Sequence, residues 1–98
     1  MNAETMRDGE TRAVRIEGEM TIYRALELKE QLLAALAPGG GLELDLSGVT
    51  EVDSAGVQLL LAARKTAPLR IAERSHAVAE AFATLGLDAC FDAPYEEA

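Results

Sequence analysis

One short segment of the sequence places a hydroxyl group where it could accept a phosphate. Asp53-Ser54-Ala55-Gly56 follows an alternating apolar run, Leu42–Leu46, and precedes a leucine-rich segment. The alternation predicts a strand and the leucine-rich segment predicts a helix, so Ser54 is expected at the amino-terminal end of that helix. Backbone N–H groups lack partners there and the helix dipole is positive, which predicts a ready anion site for a phosphate on Ser54.

The same residues also allow interpretations without chemistry. Serine is common as a helix N-cap, and the residues alone favour that role for Ser54. Asp53 either fixes the turn or positions the Ser54 hydroxyl, and the turn role is favoured. Gly56 either allows close approach of a partner or a neighbouring strand, or meets a conformational need. The run Leu59–Leu61 spans about 200° of helix surface, so it forms either a wide buried face or a face with one leucine at a partner interface.

The rest of the chain supplies the elements that position this segment. Strands are predicted at 11–17, 42–46 and 69–72, and helices at 22–37, 55–66 and 76–85. Gly18 is expected to end the first strand. Ser75 is predicted to cap the last helix and Gly86 to end it, and the residues up to Phe91 are expected to pack back on the sheet.

The first helix has a pattern that predicts its buried face. Thr21 is its expected N-cap. A buried stripe is predicted at helical spacing, widened by Leu28 and Leu32. The stripe consists of Ile22, Leu26, Leu33 and Leu36.

Strand and helix alternate from residue 42 onward, which favours parallel strands with right-handed crossovers. The predicted fold class is a single small α/β domain over residues 11–93. Its sheet is expected to be mixed but mostly parallel, with four or five strands, an antiparallel first edge and helices mainly on one face. Residues 1–10 are predicted to be a flexible segment and 94–98 an acidic tail.

Composition limits the classes of function. The chain has 98 residues and a net charge of −8, which argues against direct binding to nucleic acid or anionic lipid. That charge favours a soluble monomer or a basic partner. No apolar run approaches the length of a membrane span, and the amino terminus lacks an apolar signal core, so a cytoplasmic location is expected.

Few residues suggest catalysis. The single histidine, His76, is expected to be solvated at a helix start, and the single cysteine, Cys90, to be packed. Gly39–Gly41 lacks the Lys-Ser/Thr of a phosphate loop and is read as a turn. No nucleophile with a base and no metal cluster is evident, so no enzyme activity, metal or cofactor is expected.

Several motifs together resemble the STAS family, the anti-sigma-factor antagonist domains. Asp53-Ser54-Ala55-Gly56 before a leucine-rich helix is similar to the family signature, and Gly18-Glu19-Met20-Thr21 is similar to its Gly-Glu-Leu-Asp turn. Leu69–Ala72 and Ala77–Leu87 are similar to the later strand and last helix of the family. The resemblance covers roughly residues 12–92.

The resemblance implies a non-enzymatic protein-interaction switch. The matching serine of anti-anti-sigma factors is phosphorylated by a kinase, so Ser54 is the expected phosphorylation site. The implied partner is an anti-sigma factor or a serine-kinase-like protein, which binds the unphosphorylated form and is released on phosphorylation. The predicted partner-binding residues come from two turns and the start of the second helix: Gly18, Glu19, Met20, Thr21, Asp53, Ser54, Ala55, Gly56, Gln58 and Leu59.

The chain departs from the family pattern at two positions. Thr21 stands where anti-anti-sigma factors often carry aspartate, and Ala55 stands where many relatives have serine or threonine. Both departures also fit a constitutive subunit or adaptor, since other STAS domains serve phospholipid-transport ABC systems or chemosensory complexes. Ser54 would then be part of a fixed docking surface. Neighbouring genes would distinguish the switch from the subunit and the adaptor.

Overall fold

Strands and helices alternate through residues 10–92, the part of the chain that the computed structural model describes. The elements in chain order are β1 (Arg12–Met20), α1 (Ala25–Ala35), β2 (Leu42–Val52), α2 (Ser54–Thr66), β3 (Leu69–Arg74), α3 (His76–Leu85) and α4 (Asp88–Asp92). Apart from Glu10, the predicted flexible segment at 1–10 and the predicted acidic tail at 94–98 lie outside the described residues.

The sheet is parallel throughout, in the order β1-β2-β3. The expected parallel α/β arrangement is confirmed. The expectation of four or five strands is wrong for residues 10–92, which hold three. The expected antiparallel first edge is also wrong, because β1 and β2 run parallel from Arg12 beside Leu42 to Met20 beside Val52. The crossover through α1 returns the chain to the end of the sheet where β1 began, so β2 must run in the same direction.

All three strands run further than their sequence patterns predicted, β3 by two residues and the other two past a glycine. β1 continues past Gly18, which adopts a positive φ of 83°, and its pairing register with β2 shifts directly after this residue. β2 continues past Gly48 to Val52, with another shift in the same ladder. Such irregularities carry a strand through a local bend without ending it. As a result, both strands extend to the edge of the sheet where α2 begins.

One face of the sheet carries the hydrophobic core. Leu42, Leu44 and Leu46 alternate along β2 and are all buried. The helices contribute their buried side chains to the same cluster: Leu28, Leu32, Leu60, Val78, Phe82 and Phe91. The opposite face is charged, and Arg15 there donates hydrogen bonds to Glu17 and Asp45 over 2.6 and 2.8 Å. The helices therefore pack on the apolar face of the sheet.

Helix α1 is shorter than predicted. It begins at Ala25 and ends at Ala35, where the sequence pattern predicted 22–37. Thr21 is not its N-cap, because Arg24 holds that position and Thr21 is only 3% exposed. A turn precedes the helix, closed by a 2.9 Å hydrogen bond from the Arg24 amide to the Thr21 carbonyl.

Helix α1 also turns a different face to the core than its periodicity predicted. Leu28 and Leu32, expected only to widen the buried stripe, are its buried core residues. Three members of the expected stripe are exposed: Ile22 (62%), Leu26 (69%) and Leu33 (55%). Both sets recur at helical spacing, so periodicity alone could not tell the buried face from the exposed one.

The last two helices close the core; α3 was predicted, whereas for the segment of α4 only its packing was predicted. Ser75 caps α3 by accepting the Val78 N–H over 3.2 Å, and Gly86 ends it in the left-handed conformation. Helix α4 then places the Phe91 ring on that of Phe82, with centroids 4.9 Å apart. Cys90 packs against the same cluster. The expectations for these residues are confirmed.

Candidate functional site

Ser54 is an exposed residue at the first position of helix α2. The interpretation of Ser54 as N-cap is wrong, because Asp53 occupies that position and accepts a hydrogen bond from the Gly56 N–H. Within residues 10–92 no group hydrogen-bonds the Ser54 hydroxyl. The serine is therefore presented to solvent by a helix that does not need it for capping.

Asp53 joins the two turns of the site through its carboxylate. One oxygen accepts the Gly56 N–H over 3.1 Å, and the other accepts the Ile22 N–H over 3.0 Å. These backbone donors, the Ile22 N–H first and the Gly56 N–H second, lower the pKa of Asp53 below its ordinary value. These contacts support the favoured role of Asp53, which is to fix the turn before α2. Its carboxylate also holds the start of the turn that precedes α1.

The anion site predicted at the start of α2 is filled by the protein's own carboxylate. Asp53 takes up the N–H of Gly56 that a bound anion would otherwise use. A phosphate on Ser54 would lie next to this negative charge and would gain little from the helix end. Phosphorylation is thus expected to alter the surface and to leave the fold in place.

Substituting Asp53 by alanine is expected to reduce the melting temperature at pH 7 by roughly 4–8 °C, the usual effect of losing one helix cap in a domain of this size. The folded-state pKa is lowered, so the stabilisation is fully present above the unfolded-state pKa and is lost as pH falls through the folded value. Thermal unfolding of wild type and Asp53→Ala between pH 7 and pH 2 should therefore converge in acid. Asp53→Asn is the control, because asparagine retains a capping oxygen without the titration. A melting-temperature difference between wild type and Asp53→Ala that persists unchanged down to pH 2 would contradict this account.

Gly56 brings α2 into contact with the end of β1. A Cβ atom at this position would lie 2.2 Å from the Met20 carbonyl oxygen, closer than any tolerated contact. The same oxygen accepts the Asp53 N–H over 3.2 Å. Of the alternatives for Gly56, the close approach of a neighbouring strand is the one that the structure shows.

The end of β1 is held by Arg24, a residue that sequence reasoning missed. Its guanidinium Nη1 donates to the carbonyl oxygens of Glu17 and Glu19 over 2.6 and 2.9 Å, on either side of Gly18. A Cβ on Gly18 would lie 3.0 Å from this nitrogen. The only signal in the sequence was an arginine directly before a helix, which is too common to identify such a role.

The predicted partner-binding residues divide by exposure. Glu19, Ser54 and Gln58 are exposed. Gly18, Asp53, Ala55 and Leu59 are partly buried, whereas Met20, Thr21 and Gly56 are buried. The three buried residues can position the site, but their side chains are not available to a partner. In the run Leu59–Leu61 the outer two leucines are partly buried and Leu60 is fully buried, so the wide buried face is the interpretation that fits.

Apolar side chains beside Ser54 were not predicted to belong to the site. Ile22, Tyr23 and Leu26 are 62%, 89% and 69% exposed, and the Ile22 amide is tied to Asp53. We call the exposed residues of this region the Ser54 surface: Glu19, Ile22, Tyr23, Leu26, Ser54 and Gln58. An exposed apolar cluster next to polar residues is typical of a protein-binding surface.

The described residues offer little chemistry beyond binding. No group of three or more histidine, cysteine, aspartate or glutamate side chains in residues 10–92 is arranged to hold a metal ion. Over the same range, no helix has both the length and the apolar character needed to cross a membrane.

The fold and the site define a class of small α/β domain in which an Asp-Ser turn opens a helix at the edge of a parallel sheet. A family model described as "Mlab, STAS domain" matches residues 3–92, and the chain belongs to the STAS domain family. Domains of this family mediate protein–protein interactions and have signalling or transport roles. No curated protein matches the chain.

Proposed function

We propose that this protein is a non-enzymatic interaction switch that resembles an anti-sigma-factor antagonist. Its Ser54 surface binds a signalling protein, such as an anti-sigma factor of the serine-kinase type, in the cytoplasm. The observation that carries the proposal is an exposed Ser54 hydroxyl with no hydrogen-bond partner within residues 10–92, next to Asp53, whose carboxylate accepts the N–H of exposed Ile22. A partner would gain affinity from burying the apolar side chains and would be sensitive to any charge added at Ser54.

The electrostatics of the site favour release on phosphorylation. A phosphoserine carries about −1.5 to −2 charges at pH 7. Arg24, which holds the end of β1 in this site, already donates to two carbonyl oxygens and pairs with Glu27. Asp53 and Glu19 add negative charge nearby. A phosphate on Ser54 would therefore remain uncompensated, and the repulsion would act on the partner.

Replacing Ser54 by aspartate is expected to weaken partner binding by about tenfold or more, through charge placed in the interface. Its melting temperature should stay close to that of wild type, because the hydroxyl has no hydrogen-bond partner among residues 10–92. Isothermal titration with the co-purified partner measures the affinity. Thr66→Asp, at the other end of α2, is the matched control and should bind normally. Full affinity of Ser54→Asp would contradict the switch.

A second function, a constitutive subunit or adaptor, has one observation in its favour. The matching family model carries the name Mlab, and the chain has Thr21 and Ala55 where the switch proteins often differ. In that case the Ser54 surface holds a permanent partner in an assembly such as a phospholipid-transport ABC system or a chemosensory complex.

Mass spectrometry of the protein from its native cells separates the two functions. Trypsin releases Ser54 in the peptide 30–64, and fragmentation distinguishes it from Ser47 and Thr50. A phosphate on Ser54 in either growth or stress supports the switch. An unmodified peptide in both conditions, with a partner that co-purifies in constant ratio, supports the constitutive subunit.

A further inference from the structure

A second surface, on the other side of Ser54, has the shape and charge of a peptide-binding groove. It runs between the end of β2 and helix α3 and has a volume of about 520 Å³. Its floor is apolar and is formed by Val52, Val57, Ala81 and Leu85. Leu85 is 54% exposed, although it is a large apolar side chain. We call this surface the α3 groove.

The charges along the α3 groove are all negative. Glu51 and Asp53 line it from the β2 side and Glu80 from the α3 side, whereas no lysine or arginine among residues 10–92 lines it. Glu51 makes no ion pair within residues 10–92, and the Glu80 carboxylate has only the exposed His76 ring, 3.9 Å away. The apolar floor between two carboxylates would best match a ligand that is both apolar and cationic.

The length of the groove suits a short extended ligand. β2 pairs with β1 as far as Val52, but it pairs with β3 only as far as Leu46. Beyond Leu46 the second edge of β2 has no strand partner within the described part of the chain, and helix α3 packs against β2 instead. Helix α3 has ten residues, so the groove is roughly 15 Å long, the length of about five residues of extended chain.

We propose that the α3 groove binds a short extended segment of a partner protein in which arginine or lysine alternates with apolar residues. The apolar side chains lie on the floor and the cations pair with Glu51 and Glu80. The proposal rests on the proposed role in protein interaction and adds a second contact with a partner. Added negative charge changes the affinity of the two contacts in opposite directions. Negative charge at Ser54, which also borders the groove, favours this segment while it repels a partner at the Ser54 surface.

The test uses a labelled peptide of alternating arginine and valine, capped at both ends, with fluorescence anisotropy at about physiological ionic strength. Saturable binding with a Kd below about 1 mM is expected, and Ser54→Asp should bind equally well or more tightly. The double variant Glu51→Lys/Glu80→Lys should lose about tenfold in affinity or more. Both glutamates are exposed, so folding is retained and circular dichroism verifies it.

The matched control is Glu30→Lys/Glu73→Lys, which makes the same change in net charge at exposed positions outside the groove. It should bind the peptide within about threefold of wild type. If both double variants lose the same affinity for the peptide, the peptide responds only to the net charge of the protein, and the proposal is overturned. If an uncharged serine–valine peptide binds equally well, the ligand is neutral and the proposal is overturned. If the protein self-associates and only the groove variant abolishes this, the groove binds a second copy of the chain, which also overturns the proposal. Because the Ser54 test uses the native partner and this test a peptide, either can fail without the other.

Discussion

Replacing Gly56 by alanine is expected to lower the free energy of unfolding by about 1–3 kcal/mol, the usual cost of an overpacked buried position. The added Cβ would lie 2.2 Å from the Met20 carbonyl oxygen and 3.1 Å from the Met20 Cβ. Relief requires α2 to move away from β1, which breaks the hydrogen bond from the Asp53 N–H to that carbonyl. The higher helix propensity of alanine offsets at most about 1 kcal/mol. Urea denaturation at pH 7 measures the change.

Gly86→Ala is the comparison for this prediction. Gly86 has a positive φ of 69° and open space around its missing side chain, so alanine there meets only the conformational penalty of about 1–2 kcal/mol. Only Gly56→Ala should also disturb the site, because Asp53 and Ser54 move with the start of α2. Chemical shifts of the Ile22 and Ser54 amides report that movement. A Gly56→Ala protein with wild-type stability and unshifted amides would show that the contact does not constrain the site.

The Asp53–Gly56 turn illustrates how far the sequence determines a site. Short side chains after an alternating apolar run are sufficient to predict a strand, a turn and a helix, because each step depends on local preferences. The second hydrogen bond of the Asp53 carboxylate, however, comes from the Ile22 amide, which lies 31 residues away in the chain. Contacts of that kind are decided by the fold, and no local pattern reveals them.

The strands and the first helix show the same limit. β1 and β2 extend beyond Gly18 and Gly48 because the partner strand continues to pair across a register shift, although glycine normally suggests an end. Helix α1 carries two apolar sets at helical spacing, and packing against the sheet selects Leu28 and Leu32. The choice leaves Leu26 exposed. The exposed apolar side chains of the proposed Ser54 surface therefore belong to a pattern that predicted a core.

Introducing a charge at Leu26 is expected to abolish most partner binding, with an affinity loss of about thirtyfold or more, because apolar residues at the centre of an interface dominate its energy. Leu26 is 69% exposed and lies one helical turn beyond Ile22 and next to the turn that Asp53 anchors. Leu26→Glu should leave the free energy of unfolding nearly unchanged, since little buried surface is lost. Titration calorimetry with the native partner and urea denaturation measure the two quantities.

Ala34→Glu is the control for this variant, because it places the same charge at an exposed position of α1 without replacing a large apolar side chain. It should bind the partner normally. The prediction holds for the switch and for the constitutive subunit alike, since both use the Ser54 surface. Comparison of the affinities of Leu26→Glu and Ser54→Asp distinguishes the switch from the constitutive subunit. A switch loses affinity in both variants, whereas a constitutive complex whose contacts centre on the apolar side chains is weakened mainly by Leu26→Glu. Normal binding of Leu26→Glu would place the interface elsewhere and leave the α3 groove as the surface to examine.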